Sequence, residues 1–350
     1  MKARAIMRRF GPSPYRRSLL AISLAFLALG CGRTSPTAPS SHSSLRWTKL
    51  SWTAFAADMI FLDSLEGWCS GLTGVIHTTD GGRTWEFQQI VTGGSYYYMS
   101  SIWFVDRQYG WVVASQGKIF HTTDGGRNWY EQTSNTDLWL NAVHFVDRQY
   151  GWAVGGDDLS GCVILHTIDG GEHWQVQQQE AWDMEYETVF FTDRNTGWVG
   201  GYELFSTRDG GQTWKQENGW QIYGINQIHV NPDGCGWIVD CNGQMMLTRD
   251  HGNTWREQKL PVGRDTIIYM ISSACFLDDR TGWVSLPTYG SAHPQSEMPT
   301  CAIWSTTDGG FTWKEEFRDS THYGRMKIQF TDRRHGWCSG MYNYLLKYNP

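Results

Sequence analysis

The chain has 350 residues, among them 39 glycines, 20 tryptophans, 16 tyrosines and 15 phenylalanines. Charged residues make up 18% and aromatics 15%, which excludes an intrinsically disordered chain, since disorder goes with few rings and high charge. Residues 1–31 hold six bases and no acid, so the remainder has 23 bases against 35 acids, a net of −12, and is not expected to bind nucleic acid.

Arg16 and Arg17 precede an apolar run from Leu19 to Leu29. A membrane-spanning helix needs roughly 20 apolar residues, whereas a run of about 7–15 after a basic flank fits a signal peptide. The run ends at Ala28-Leu29-Gly30-Cys31, which resembles a bacterial lipoprotein lipobox with Cys31 as the acylated residue; ordinary secretory cleavage nearby is the alternative. Residues 1–31 are thus assigned as a lipoprotein signal, and the Ser/Thr/Pro-rich segment 32–45 as a flexible tether. The expected location is exported and lipid-anchored to a bacterial membrane. Seven further cysteines form neither a dense framework nor a CxxC pair, so no metal site and no cofactor are expected.

From residue 46 onward a repeat dominates. Phe-x-Asp-x-x-x-Gly-Trp occurs at Phe61–Trp68, Phe104–Trp111, Phe145–Trp152, Phe191–Trp198, Phe276–Trp283 and Phe330–Trp337, with a degenerate copy at Val230–Trp237. Thr-x-Asp-Gly-Gly-x-Thr-Trp follows in six units, with the turn acids Asp80, Asp124, Asp169, Asp209, Asp250 and Asp308. Each carboxylate can accept backbone N–H bonds of its turn, and glycine permits the left-handed conformation there. Four short strands in about 40–45 residues, repeated, describe a propeller blade. Residues 46–350 are therefore expected to form an all-β, seven-bladed β-propeller of four-stranded blades. Seven Gly-Trp halves meet only six Asp turns, and Leu45-Arg46-Trp47-Thr48-Lys49-Leu50 reads as an orphan outer strand that completes the last blade and closes the ring.

The Asp turn resembles the Asp-box, or bacterial neuraminidase repeat. The whole unit, as in Phe145-Val-Asp-Arg-Gln-Tyr-Gly-Trp followed by His166-Thr-Ile-Asp-Gly-Gly, looks most like the photosystem II stability/assembly factor family. That resemblance implies an exported, in some members lipid-anchored, assembly chaperone without enzymatic activity. It also implies a basic patch for the client, for which Arg264, Arg318 and Arg325 are scattered candidates.

The Gly-Trp and Asp turns belong to one end of the disc, and the remaining connections to the other. At that other end lie Tyr96, Tyr97, Tyr98, Trp139, Trp182, Tyr186, Trp220, Tyr223, Tyr269 and Tyr323. These rings read either as an aromatic bowl that binds a partner or as a plug of the channel; binding is favoured because Tyr and Trp give large, rigid contact area. The expected partner is another exported or membrane protein, with a glycan as the alternative, and the membrane through the lipid anchor. His77, His121 and His166 share one repeat position and read as packing residues.

No catalytic residue is assigned. Sialidases, which share the Asp-box, need an arginine triad near the axis, and the innermost strands here contain no arginine. The alternative is a glycan-binding protein or an Asp-box glycoside hydrolase similar to the two-propeller xyloglucanases. Such an enzyme needs two opposed carboxylates about 5–10 Å apart, for which Asp58, Asp183, Glu185, Glu187 and Asp265 are the candidates.

Overall fold

The computed structural model describes residues 46–50, 56–90, 97–157, 161–180, 185–217, 224–258, 260, 266–268, 271–290, 300–319, 326–340 and 344–350. Among them are 29 strands, and no helix is long and apolar enough to cross a membrane. The strands form seven antiparallel sheets that follow one another around a ring, a seven-bladed propeller. The first blade has the strands Asp58–Phe61, Gly67–Ser70, Gly74–Thr78 and Glu86–Gln89, ordered from the axis outward. The second to fifth begin on the inner strands Met99–Phe104, Leu140–Phe145, Tyr186–Phe191 and Ile225–Val230.

The sixth blade carries five strands. Its long strand Gly282–Gly290 pairs Ser273–Phe276 along one half and Thr266–Ile268 along the other. The long strand also pairs Thr300–Thr306, with Leu286 opposite Ala302 and Thr288 opposite Thr300, which extends the blade beyond the length of the others. The seventh blade has Met326–Asp332, His335–Gly340 and Tyr344–Tyr348, and its outer strand is Trp47–Lys49, with Trp47 opposite Tyr348. The chain's two ends share one blade.

The repeat residues explain how the blades adhere. Repeat Phe rings lie flat on the Gly-Trp tryptophan of the preceding blade: Phe104 on Trp68 at 3.9 Å, Phe145 on Trp111 at 3.5 Å, Phe191 on Trp152 at 3.5 Å and Phe330 on Trp283 at 3.6 Å. Phe276 is the exception, tilted by 44° and 5.6 Å from Trp237. The ring closes on the same contact, with Phe61 on Trp337 at 3.6 Å and 4°. The same Phe takes the box tryptophan of its own blade edge-on, as Trp85 meets Phe61 at 84° and Trp174 meets Phe145 at 89°. In the last blade Trp47 assumes that role against Phe330, at 5.8 Å and 89°. Glycine before the tryptophan follows from this packing: a Cβ on Gly67 would lie 2.5 Å from the Phe61 ring.

The box turns are held by their own side chains. Asp80 accepts from the N–H groups of Arg83 and Thr84 and from the hydroxyls of Thr78 and Thr84. Gly81 adopts φ +71°, and a Cβ there would lie 2.6 Å from the Ser64 carbonyl oxygen. Asp124, Asp169, Asp209, Asp250 and Asp308 make the corresponding bonds. The fifth blade departs from the pattern: Val230 replaces the Phe, and His251 occupies the first box-glycine position at φ +58°.

Candidate functional site

Antiparallel order puts the Gly-Trp and box turns at one end of the disc and the chain's other connections at the opposite end. Of the ten rings expected at the opposite end, Tyr96, Trp182, Trp220, Tyr223, Tyr269 and Tyr323 lie outside the described residues. The other four separate into two groups. Tyr98 and Trp139 are half-buried and meet across adjacent blades at 5.5 Å and 53°. The Trp139 indole donates to Ser100 Oγ at 2.7 Å, which fixes the ring, while Tyr98 N donates to Ser115 Oγ and the Tyr98 carbonyl accepts from Ser115 N. Asn141 stands beside them, donating to the Tyr186 carbonyl at 2.9 Å and to Glu185 Oε1 at 3.3 Å. This is a small step of two rings bordered by a hydroxyl, an amide and a carboxylate.

Tyr97 and Tyr186 serve packing instead. Tyr97 sits against the apolar cluster of the first and second blades, 6.4 Å from Phe120, with Lys118 Nζ 5.6 Å above its ring. Tyr186 is 1% exposed and meets Phe205 edge-on at 6.0 Å, so it presents no ring at the surface. It stands at the start of its inner strand, as Met99, Leu140 and Ile225 do in theirs, and that position faces the interblade core.

The channel wall is polar where adjacent inner strands need joining. These strands fan apart, and side chains bridge them. Gln329 accepts from Phe61 N at 2.7 Å and donates to Phe61 O at 2.9 Å, and Gln227 brackets Ala274 in the same way. Asp58 accepts from Ser101 Oγ at 2.9 Å and Ile102 N at 3.1 Å and pairs with Lys327 across the closing seam. A run of rings, Trp103, His144, Phe190 and His229, follows the channel near the box end at centroid spacings of 4.3, 4.6 and 4.5 Å. Burial pushes the His144 imidazole down to about 3 and that of His229 to about 4, so both are neutral at physiological pH. Sequence reasoning missed this ring, because it comes from single positions some forty residues apart.

Other reactive side chains are spent on structure. His77, His121 and His166 stack on Trp68, Trp111 and Trp152, and burial holds the last two histidines near 4. No disulfide occurs among the described residues; Cys69 and Cys338 are fully buried, and burial raises their thiols far above the ordinary value. Asp169, Glu172 and His173 bring ligand atoms within 4.8 Å of one another on an exposed box turn, where Asp169 already serves Thr167 and His173.

A family model described as photosynthesis system II assembly factor YCF48 matches residues 39–139. The photosystem II assembly protein Ycf48 of Thermosynechococcus vestitus is 26% identical over 317 residues, spanning 86% of this chain and 83% of the relative. This chain is an Asp-box propeller resembling the photosystem II assembly factors. A solved structure of YCF48 bound to D1 peptide superposes with a TM-score of 0.67 at 22% identity, over 89% of this chain and 98% of that one. A xyloglucanase from Xanthomonas campestris gives a TM-score of 0.63 at 14% identity, over 87% of this chain and 53% of the enzyme. At such identities the structural likenesses speak for the shared propeller alone.

Proposed function

We propose that the protein is an exported, lipid-anchored, non-catalytic factor that docks a segment of a membrane-protein client at the end of the disc opposite the box turns. The observation that carries this reading is the Tyr98–Trp139 step, two half-buried rings from adjacent blades beside the polar groups of Ser100, Asn141 and Glu185. Rings fixed in this way lose little entropy on binding and are favoured as binding anchors. The similarity to a photosystem II assembly protein supports a protein client, and the peptide held by a YCF48 structure makes an extended segment the natural form of ligand. Tyr96, Trp182, Trp220, Tyr223, Tyr269 and Tyr323 extend the docking rim in this reading by their place in the repeat.

An acylated Cys31 followed by the tether of residues 32–45 fits such a client. A flexible segment of that length spans about 20 Å root-mean-square, which keeps the propeller near the membrane. A hydrolase is the weaker reading. Asp58, an inner-strand carboxylate considered for acid catalysis, is already taken up by Lys327 and by N–H and O–H donors across the closing seam.

The test is crosslinked capture of client from native membranes by the wild type and by a Tyr98→Ala, Trp139→Ala double variant. Loss of capture by about tenfold or more with an unchanged unfolding midpoint is the expected result. Undiminished capture would refute the docking site, and glycan turnover by the wild type would refute the non-catalytic reading.

A further inference from the structure

Four seams of the ring carry the same rung at the box end. Asp63 holds Arg107, Asp106 holds Arg148, Asp147 holds Arg194 and Asp278 holds Arg333, each carboxylate on one blade and each guanidinium on the next. In two of these the guanidinium also lies over a tyrosine of the acidic blade, Arg148 over Tyr109 at 4.1 Å and Arg194 over Tyr150 at 4.0 Å.

The seam between the fourth and fifth blades keeps the carboxylate and lacks its guanidinium. Asp193 occupies the position of Asp147, and its Oδ1 accepts from Asn195 N at 2.7 Å and Thr196 N at 2.9 Å, just as Asp147 accepts from Gln149 and Tyr150. The fifth blade reads Val230-Asn231-Pro232-Asp233, so an aspartate stands where the second, third, fourth and seventh blades place the arginine. The fourth blade has Thr196 where the third has Tyr150, which removes the ring that would fill the gap. Among the described residues no cation pairs with Asp193.

A cavity of about 600 Å³ opens at this seam. Asp193, Thr196 and Pro232 line one side, and the rings of His144, Phe190 and His229 another. His144 is 4% exposed, and its buried Nδ1 has no hydrogen-bond partner. Arg208 and His251 also border the space; the Arg208 guanidinium is held 5.1 Å over the Trp198 ring and by Asn253 Oδ1 at 3.3 Å.

We propose that this cavity receives an arginine side chain from a partner polypeptide, its guanidinium on Asp193 and its flat face against the aromatic wall, supplying the rung that the fifth blade omits. The protein's own seams give the recognition chemistry: carboxylate edge and ring face together select a planar, delocalised cation. A lysine ammonium gains less from the ring faces and competes less well with water. The volume, within the range of about 300–1,000 Å³ usual for binding pockets, admits the side chain and part of its backbone. The site lies at the box end and stands apart from the docking rim at the other.

The test uses the full chain and the peptide acetyl-Gly-Gly-Arg-Gly-Gly-amide, followed through the Trp103 indole and Thr196 amide resonances. Saturable shifts are expected, with the lysine peptide binding several-fold more weakly. Asp193→Asn retains the Oδ1 acceptor of the turn and weakens binding about tenfold or more, the scale of a charged hydrogen-bonded pair. Arg208→Gln removes a like charge and tightens binding. Absence of saturable shifts up to about 20 mM peptide would overturn the proposal, that concentration marking affinities too weak for a built site. So would equal binding of the lysine peptide, or opposite signs for the two variants, which would mark an anion site.

Discussion

Replacing Trp47 by alanine tests the shared blade most directly. The side chain is 4% exposed and meets Phe330 at 5.8 Å and Tyr348 at 5.3 Å. A buried tryptophan removes about 150–250 Å² from water, worth roughly 4–6 kcal/mol against an extended chain and less against a compact one. Aromatic-to-alanine changes in cores cost about 3–5 kcal/mol, so a loss of about 4 kcal/mol is expected for Trp47→Ala. The Trp47 indole N–H is buried without an acceptor, so Trp47→Phe keeps the edge-on contacts, discards an unsatisfied donor and costs less than about 1.5 kcal/mol. Phe311→Ala, at a site 77% exposed, is the control and stays within about 0.5 kcal/mol. Urea unfolding followed by tryptophan fluorescence measures all three. A Trp47→Ala variant within about 1 kcal/mol of wild type would refute the claim that this strand closes the ring.

Acid should weaken the fold in two stages. His121, His144, His166 and His229 are held near 3 to 4 by burial, against 6.5 when free, so the unfolded chain binds more protons and stability falls as pH drops from about 6.5 to 4. His173, raised by its bond to Asp169, opposes this as one exposed group against four. Asp209, Asp250 and Asp308 are lowered to about 2 chiefly by the threonine side chains of their turns, and their contribution is lost as pH falls from about 4 to 2. Urea midpoints at pH 7.5, 5 and 3 check both stages, and equal midpoints at 7.5 and 5 would refute the first. Lys327→Met leaves the Asp58 carboxylate unpaired at the closing seam; it should cost roughly 1–3 kcal/mol, less than a fully buried pair because the lysine is 40% exposed. Arg148→Ala removes an exposed rung and should cost about 1 kcal/mol or less, both read from the same urea curves.

The blade pattern was legible because its residues act at fixed short spacing: Phe61 covers Gly67, and Asp80 serves Thr84, all within one unit. The orphan strand at Trp47 was legible by subtraction, since six boxes cannot complete seven sheets. What joins the blades was not. Gln329 brackets Phe61 from 268 residues away, and the Arg148–Asp106 rung spans 42, so neither leaves a local signature. At the candidate site, composition placed an aromatic near each inner strand but could not say which way it points. Tyr98 reaches the surface and Tyr186 does not, because strand alternation and the packing of the neighbouring blade decide the direction. The missing rung at Asp193 was visible only as the degenerate unit at Val230, and its meaning depended on knowing that four other seams hold an arginine.

A blade assembled from Trp47–Lys49 and Tyr344–Tyr348 has a consequence for biogenesis. During synthesis or passage through a membrane, the leading strand emerges almost three hundred residues before the strand it must zip onto. Until then the arc has two raw flanks, with Phe61 lacking its Trp337 cover at one and the sixth blade bare at the other. Closure therefore waits until Tyr344–Tyr348 is available, and exposed apolar flanks of this kind are the surfaces through which incompletely folded chains aggregate.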